Sequence, residues 1–254
     1  MSIKKFCISS AIFLFFLYPS LQAALVGYYN FNQSSGSTLP DLSTMNNNGT
    51  LVNMPNNWAA GQSGYGNALN FNNANQYVSI GNNSSLAITD AITVSAWIKM
   101  DFVQHAHIRI VEKHYTSSWY FGTGANGGNS LSVYINNASR IDTGGSVFSL
   151  NQWTHVAFTY DRQYARIYVN GVQQGAGAYT GAIGLDANDV WIGNWKGLSH
   201  NFNGMIDEVT IWNEALNASQ ISQLQTSAFI PEPASIFYVG FALFLSLRFL
   251  FRKT

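Results

Sequence analysis

From Leu25 onward the chain alternates short apolar runs with stretches rich in Asn, Gly and Ser. The runs have a period of two, the mark of strands that bury one face. In Ile92-Thr-Val-Ser-Ala-Trp-Ile98 the alternation sets Ile92, Val94, Ala96 and Ile98 on one side. Leu25–Phe31, Tyr77–Ile80, His107–Val111, Leu131–Ile135, Trp153–Tyr160, Ala165–Val172, Val190–Gly193 and Met205–Trp212 also read as strands. Asn170-Gly171 lies between two apolar runs and predicts a hairpin, because both central residues of a type I′ turn need positive φ. One segment has helical spacing: Asn217 as N-cap, then Ala218–Gln225 with Ile221 and Leu224 on one face. The connecting stretches suit left-handed turns. Many strands and one short late helix predict an all-β antiparallel sandwich, not an α/β fold.

Two segments depart from this pattern. Residues 1–23 carry Lys4 and Lys5, an apolar core from Ile8 to Tyr18, a break at Pro19-Ser20, and the small residue Ala23. That order predicts a signal peptide, a short helix that signal peptidase removes after Ala23 or Ala24. Residues 230–254 hold Pro231-Glu232-Pro233, an uncharged apolar run Ala234–Leu247, and the basic residues Arg248, Arg252 and Lys253. The run is long enough for a transmembrane helix if Arg248 snorkels, and its basic end belongs on the cytoplasmic side. Residues 24–229 would then form one sandwich domain outside the cytoplasm.

Composition sharpens this picture. Charged residues are 9% of the chain, aromatics 15%, and the formal net charge is zero. The zero is a sum of unlike parts: residues 24–229 hold 7 basic and 11 acidic residues, a net −4. An acidic domain with no basic run excludes a nucleic-acid partner. A hydrophobic fraction of 47% excludes a disordered chain. The single Cys, Cys7, falls in the signal, so the domain has neither a disulfide framework nor a Cys-based zinc site.

Two resemblances follow from the residues. Pro231-Glu232-Pro233, the apolar run and the terminal basic cluster resemble the PEP-CTERM sorting signal of Gram-negative bacteria. That resemblance implies an exosortase as processing partner, transient inner-membrane anchoring, and delivery to the cell surface, outer membrane or exopolysaccharide matrix. The basic cluster is weaker than the pattern asks, which leaves a permanent anchor as the alternative. The middle domain resembles the laminin-G-like, concanavalin-A-like jelly roll. The resemblance is carried by Val26–Phe31, Asp41–Gly49, Gly66–Phe71, Thr93–Trp97, Trp153–Ala157, Tyr168–Gly171, Asn203–Val209 and Ile211–Leu216, in that order. It implies two antiparallel sheets, a glycan- or protein-binding repertoire, and often one calcium ion.

Calcium takes oxygen ligands from carboxylates, amides and backbone carbonyls. The resemblance points to Asp41, which opens the loop of Asn46-Asn47-Asn48-Gly49, and to Asp207 in Gly204–Val209, with Asn48 as helper. Beside that stands a plainer reading: Asp41 as a turn cap and Asp207 as a hydrogen-bonded strand carboxylate. A glycan site needs an aromatic platform beside polar groups, and Trp195, Trp119 and Tyr120 lie in or beside Asn-, Ser- and Gly-containing loops. Trp97, Trp153 and Trp212 fall on strand patterns and read as core, and His155 as structural. His105 and His107 would face one side of a strand, near Glu112 and His114, but exposed imidazoles at a loop–strand junction are the stronger reading.

Catalytic signatures are missing from the sequence. No Glu-x-Asp-x-Glu strand, Gly-x-Ser-x-Gly elbow or phosphate loop occurs, and Asp207-Glu208, as strand neighbours, would point to opposite faces. The sequence therefore predicts a non-enzymatic module that binds polysaccharide or another glycoconjugate. A structural matrix protein without a ligand is the first alternative, and a polysaccharide-degrading enzyme the second.

Overall fold

The protein is described by a computed structural model covering residues 24–226, except 55–56, 73–74, 125–128 and 196–199. The predicted signal helix, the transmembrane helix and the Pro231-Glu232-Pro233 motif lie outside the described residues. No helix among the described residues is long and apolar enough to cross a membrane.

The period-two runs become strands. In chain order they are β1 (Leu25–Tyr29), β2 (Thr38–Leu39), β3 (Gly49–Val52), β4 (Trp58–Ala60), β5 (Asn67–Phe71), β6 (Tyr77–Gly81), β7 (Ile92–Met100) and β8 (Arg109–Glu112). Then follow β9 (Trp119–Thr123), β10 (Leu131–Ile135), β11 (Ser139–Asp142), β12 (Thr154–Tyr160), β13 (Tyr164–Val169), β14 (Val172–Ala178), β15 (Val190–Ile192) and β16 (Gly204–Trp212), and finally helix α1 (Ala218–Thr226). The first sheet runs β14-β13-β12-β7-β16-β5-β4, with β1 also paired to β16. The second runs β11-β10-β9-β8-β15-β6-β3-β2. Neighbouring strands pair antiparallel throughout, as expected of an all-β sandwich.

The core lies between the sheets. Ile92, Val94, Ala96 and Ile98 point into it, as their alternation predicts, and share it with Phe121, Val133 and Phe158. The hairpin forms where Asn170-Gly171 predicts it, with φ of 47° and 75°. On the outer face of the first sheet, Ile221 and Leu224 of α1 cover Trp212, Tyr168 and Ala157. The helix starts as read: Gln220 N–H donates to Asn217 Oδ1 at 3.0 Å, and Asn217 N–H donates to Gln220 Oε1 at 2.8 Å. This reciprocal pair satisfies two backbone donors that the first turn leaves open.

Three local features differ from the pattern reading. Trp119–Thr123 is an interior strand, not a loop. Its Gly122 is there for close approach, since a Cβ would meet the Ile108 carbonyl of the neighbouring segment. His105 and His107 lie on a turn, with His107 at φ 61°, so no strand sets the two rings side by side. Finally, β16 carries a bulge. Asp207 pairs with Trp97 and Thr210 with Ser95, so Glu208 and Val209 together oppose one residue of β7. Ile206 and Val209 both point into the core. Asp207 and the extra residue Glu208, at φ 50°, therefore share the outer face instead of taking opposite faces.

Candidate functional site

The outer face of the second sheet holds an aromatic cleft. Phe121 and Val133 point into the core, so their strand neighbours Tyr120 and Tyr134 point outward. They are cross-strand partners, with ring centroids 5.4 Å apart at 70°. Tyr115, from the turn after β8, stands edge-on to Tyr134 at 6.3 Å and to Trp195 at 6.0 Å. His107 packs edge-on to Tyr134 at 5.4 Å. These residues, with Arg109, Asn137 and His200, line a cavity of about 220 Å³.

Arg109 forms the floor. Its Cζ lies 4.8 Å from the Tyr120 ring, 5.6 Å from Trp195 and 5.7 Å from Tyr115, within cation–π range of all three. The side chain is held from behind. Nε donates to Glu112 Oε2 at 2.6 Å and Nη1 to the His107 carbonyl at 2.5 Å. The second oxygen of Glu112 accepts the Tyr115 N–H at 2.9 Å, so one carboxylate positions both the cation and the aromatic beside it. Glu112 has no exposure and Arg109 only 4%. Burial pushes the Glu112 carboxyl up, and the guanidinium pulls it back. A buried ion pair is a poor source of stability, so its value here is to fix geometry. Burial, and then the Arg109 charge, hold both imidazoles of the cleft below their usual range, His200 at about 4. Both rings are therefore neutral near pH 7.

Two of the three aromatics singled out from sequence, Trp195 and Tyr120, meet in this cleft. Trp119 does not belong to it. On β9 it alternates with Tyr120 and is buried between the sheets, its ring 6.0 Å from Phe158. Read as loop residues, the two neighbours could share a site; on a strand they point apart. Sequence reasoning missed Arg109, Tyr115 and Tyr134. A lone Arg in the apolar run Ile108-Arg-Ile-Val111 was a usable signal, because a charge on a strand needs a partner or a function. Trp97 and Trp212 are buried as read, but on the outer face of the first sheet. Trp153 is half-buried and just precedes β12. His155 is buried against Trp97, ring centroids 5.5 Å apart, and burial lowers it to about 3.

Two of the residues expected to ligate calcium, Asp41 and Asn48, are engaged within their own turn. Asp41 already accepts four bonds: Tyr28 N–H at 2.9 Å and Ser43 N–H at 2.8 Å on Oδ1, Ser43 Oγ at 2.7 Å and Asn47 N–H at 2.8 Å on Oδ2. Asn48 Oδ1 accepts the Asp41 N–H at 2.8 Å. A carboxylate ringed by four donors presents hydrogens to a cation, so Asp41 and Asn48 fit the turn-cap reading. Among the described residues, no group of three or more His, Cys, Asp or Glu is placed to hold a metal.

Asp207 belongs to a different cluster. It has no exposure, and its Oδ1 accepts the Glu208 N–H at 2.9 Å. The Gln62 backbone amide faces the same carboxyl, yet Oδ2 meets no bond of good geometry. Gly61 roofs it, since a Cβ there would lie 2.5 Å from Oδ2. Burial first, and the Glu208 charge second, push Asp207 up to about 8. Glu208 accepts the Tyr28 hydroxyl at 2.8 Å and is raised by burial to about 7. Glu208 lines a cleft of about 640 Å³ with Tyr28, Tyr65, Asn30 and Asn32, but Asp207 does not.

A Ser–His–Asp grouping also occurs, without triad geometry. Ser117 Oγ donates to Asp186 and lies 2.9 Å from His114 Nδ1, and the Asp186 carboxylate is 3.7 Å from that same nitrogen. Nucleophile and carboxylate thus meet one edge of the ring, whereas a triad histidine bridges them with its two nitrogens.

Residues 72–222, more than half of the chain, match the family model Laminin_G_3, described as the concanavalin A-like lectin/glucanases superfamily. No curated protein matches the chain. Among solved structures, the chain is similar to domain 4 of AbnA, a GH43 extracellular arabinanase from Geobacillus stearothermophilus, in complex with arabinotriose. The TM-score is 0.62 at 23% identity, over 80% of this chain and 99% of that one. It is also similar to the binding domain of Paraclostridial Mosquitocidal Protein 1, with TM-score 0.62 at 19% identity over 80% of this chain. A third is the binding domain of botulinum neurotoxin DC in complex with SialylT, with TM-score 0.58 at 18% identity over 81% of this chain. The chain spans 52% of each toxin domain's length. At these identities the likeness is one of fold.

Proposed function

Because the chain belongs to the concanavalin A-like lectin/glucanases superfamily, we propose that it is a non-enzymatic binding module that takes a polysaccharide or other glycoconjugate in the cleft of the second sheet. The observation that carries this reading is the ring of Tyr115, Tyr120, Tyr134 and Trp195 around Arg109. Sugars present C–H faces that stack on aromatic rings and hydroxyls that bond to polar groups beside them, and this cleft supplies both. Two of the similar structures are complexes, one with arabinotriose and one with SialylT, which agrees in kind with this reading.

The non-enzymatic part is supported by the sequence, which carries no Glu-x-Asp-x-Glu strand or Gly-x-Ser-x-Gly elbow, and by the placement of the one adjacent carboxyl pair. Only one carboxyl of the Asp207–Glu208 pair reaches a cleft, whereas glycoside hydrolysis needs two flanking one bond. The display part rests on the sequence alone: a signal peptide at 1–23, the domain at 24–229, and a sorting tail at 230–254 read by an exosortase. The test is a glycan array probed with the purified protein and with Trp195→Ala. Selective retention that Trp195→Ala removes is expected; flat binding by both proteins would refute the reading. For the tail, mass spectrometry of the protein recovered from its source should show a C-terminus near Pro231; an intact Thr254 would leave a membrane anchor instead.

A further inference from the structure

The cleft has a one-sided chemistry. Among the described residues its lining contains a guanidinium, two imidazoles, an amide and four aromatic rings, and no carboxylate. A site that reads only sugar hydroxyls gains from both donors and acceptors, because each hydroxyl is both. Here the floor is a donor. Arg109 has five N–H groups, and the described residues engage two of them, through Glu112 and the His107 carbonyl. The other N–H groups belong to a side chain 4% exposed that lines the cavity. N–H groups of a charged side chain that open onto a cavity offer an arriving acceptor charge-assisted bonds. His107 adds a second observation: its Nδ1 is buried without a hydrogen-bond partner among the described residues, and the ring lines the same cavity.

The rest of the machinery fits an incoming anion. Glu112 sits behind Arg109, fully occupied, so its charge steadies the guanidinium without facing the cavity. The rings of Tyr115, Tyr120 and Trp195 lie against Arg109, and a charge-assisted bond made beside such apolar surface is stronger than one made in bulk water. The planar fork of a guanidinium matches a planar carboxylate with two parallel bonds. The domain as a whole is acidic, at net −4, so attraction of an anion here is a property of this cleft and not of the surface at large.

We infer that the cleft selects an acidic sugar, with the carboxylate of a uronate-type residue on Arg109 and the sugar ring stacked against Trp195 and Tyr115. This rests on the glycan-binding reading above and adds the class of ligand. A neutral sugar offers the Arg109 donors only uncharged hydroxyl acceptors; a carboxylate meets them with two parallel, charge-assisted bonds.

The experiment compares matched pairs on the purified protein by calorimetry: oligogalacturonate and oligoguluronate fragments, each against its carboxyl-reduced, neutral counterpart. Reduction of the carboxyl is expected to weaken binding roughly ten- to a hundredfold. Arg109→Lys, which keeps the charge and loses the fork, should lose most of the preference for acid over alcohol while the melting temperature stays near that of the parent. If Arg109→Lys fails to fold, the matched pairs on the parent protein decide alone. Equal affinity for acid and alcohol, or preference for a sulfated sugar over the uronate, would overturn the inference while leaving the glycan-binding reading intact. Absence of binding to every saccharide, acidic or neutral, would overturn both.

Discussion

Replacing Asp207 by Asn should stabilise the protein, and by an amount that depends on pH. The carboxyl is sealed beneath Gly61, and burial, followed by the Glu208 charge, raises it from 3.8 to about 8. Below pH ~4 the acid holds its proton in both folded and unfolded chains and contributes nothing to the balance. Above that, the unfolded chain releases the proton while the folded chain keeps it. Stability therefore falls as pH rises, by about 1.4 kcal/mol per unit, until the folded carboxyl ionises near pH 8. The whole window sets a ceiling of ~6 kcal/mol. Asp207→Asn keeps the acceptor for the Glu208 N–H and has no proton to lose. Its amide suits the facing Gln62 N–H less well than a carboxylate does, so a net gain of ~2–4 kcal/mol at pH 8 is expected. At pH 4 the gain should vanish. Urea unfolding of parent and variant at pH 4, 6 and 8 measures it. Parallel pH profiles, or a variant weaker at pH 8, would refute a neutral buried acid at this bulge.

Other substitutions separate the roles that the structure assigns. Trp119→Ala should cost ~3–5 kcal/mol by leaving a cavity between the sheets, measured by denaturant melting, whereas Trp195→Ala should change stability by less than ~1 kcal/mol. Asp41→Ala removes the acceptor of four bonds and should cost ~2–4 kcal/mol. If Asp41 is a turn cap, millimolar calcium should leave the parent's melting midpoint unchanged; a rise that Asp41→Ala abolishes would support a metal at this loop instead. Tyr65→Phe cuts the hydroxyl bond to the Gln225 carbonyl at 2.7 Å and should speed hydrogen exchange in α1; unchanged exchange would show that Ile221 and Leu224 hold the helix alone.

The strands were legible where alternation was clean, as in Ile92–Ile98 and at Asn170-Gly171, because side-chain period and turn sterics are local properties. Trp119 and Tyr120 were misplaced for a local reason too. The glycines that follow them read as loop punctuation, but Gly122 serves a close approach by the segment at Ile108, a contact that sequence does not display. The bulge at Glu208 was illegible because it exists only against β7 and changes which face a side chain takes. That single extra residue turns two ordinary strand carboxylates into a coupled buried pair. The cleft was half legible. Trp195 and Tyr120 stood out as aromatics, but Arg109, Tyr115 and Tyr134 come from three separate segments and converge only through strand order and the Glu112 tether.

The most direct test of the binding account is the affinity of one array-selected glycan for the parent protein and for Trp195→Ala, both by calorimetry, with melting curves alongside. The account predicts about tenfold or greater loss of affinity at an unchanged melting midpoint, because the indole edges the cleft without supporting the core. Equal affinity in both proteins, or no glycan bound by the parent, would contradict it.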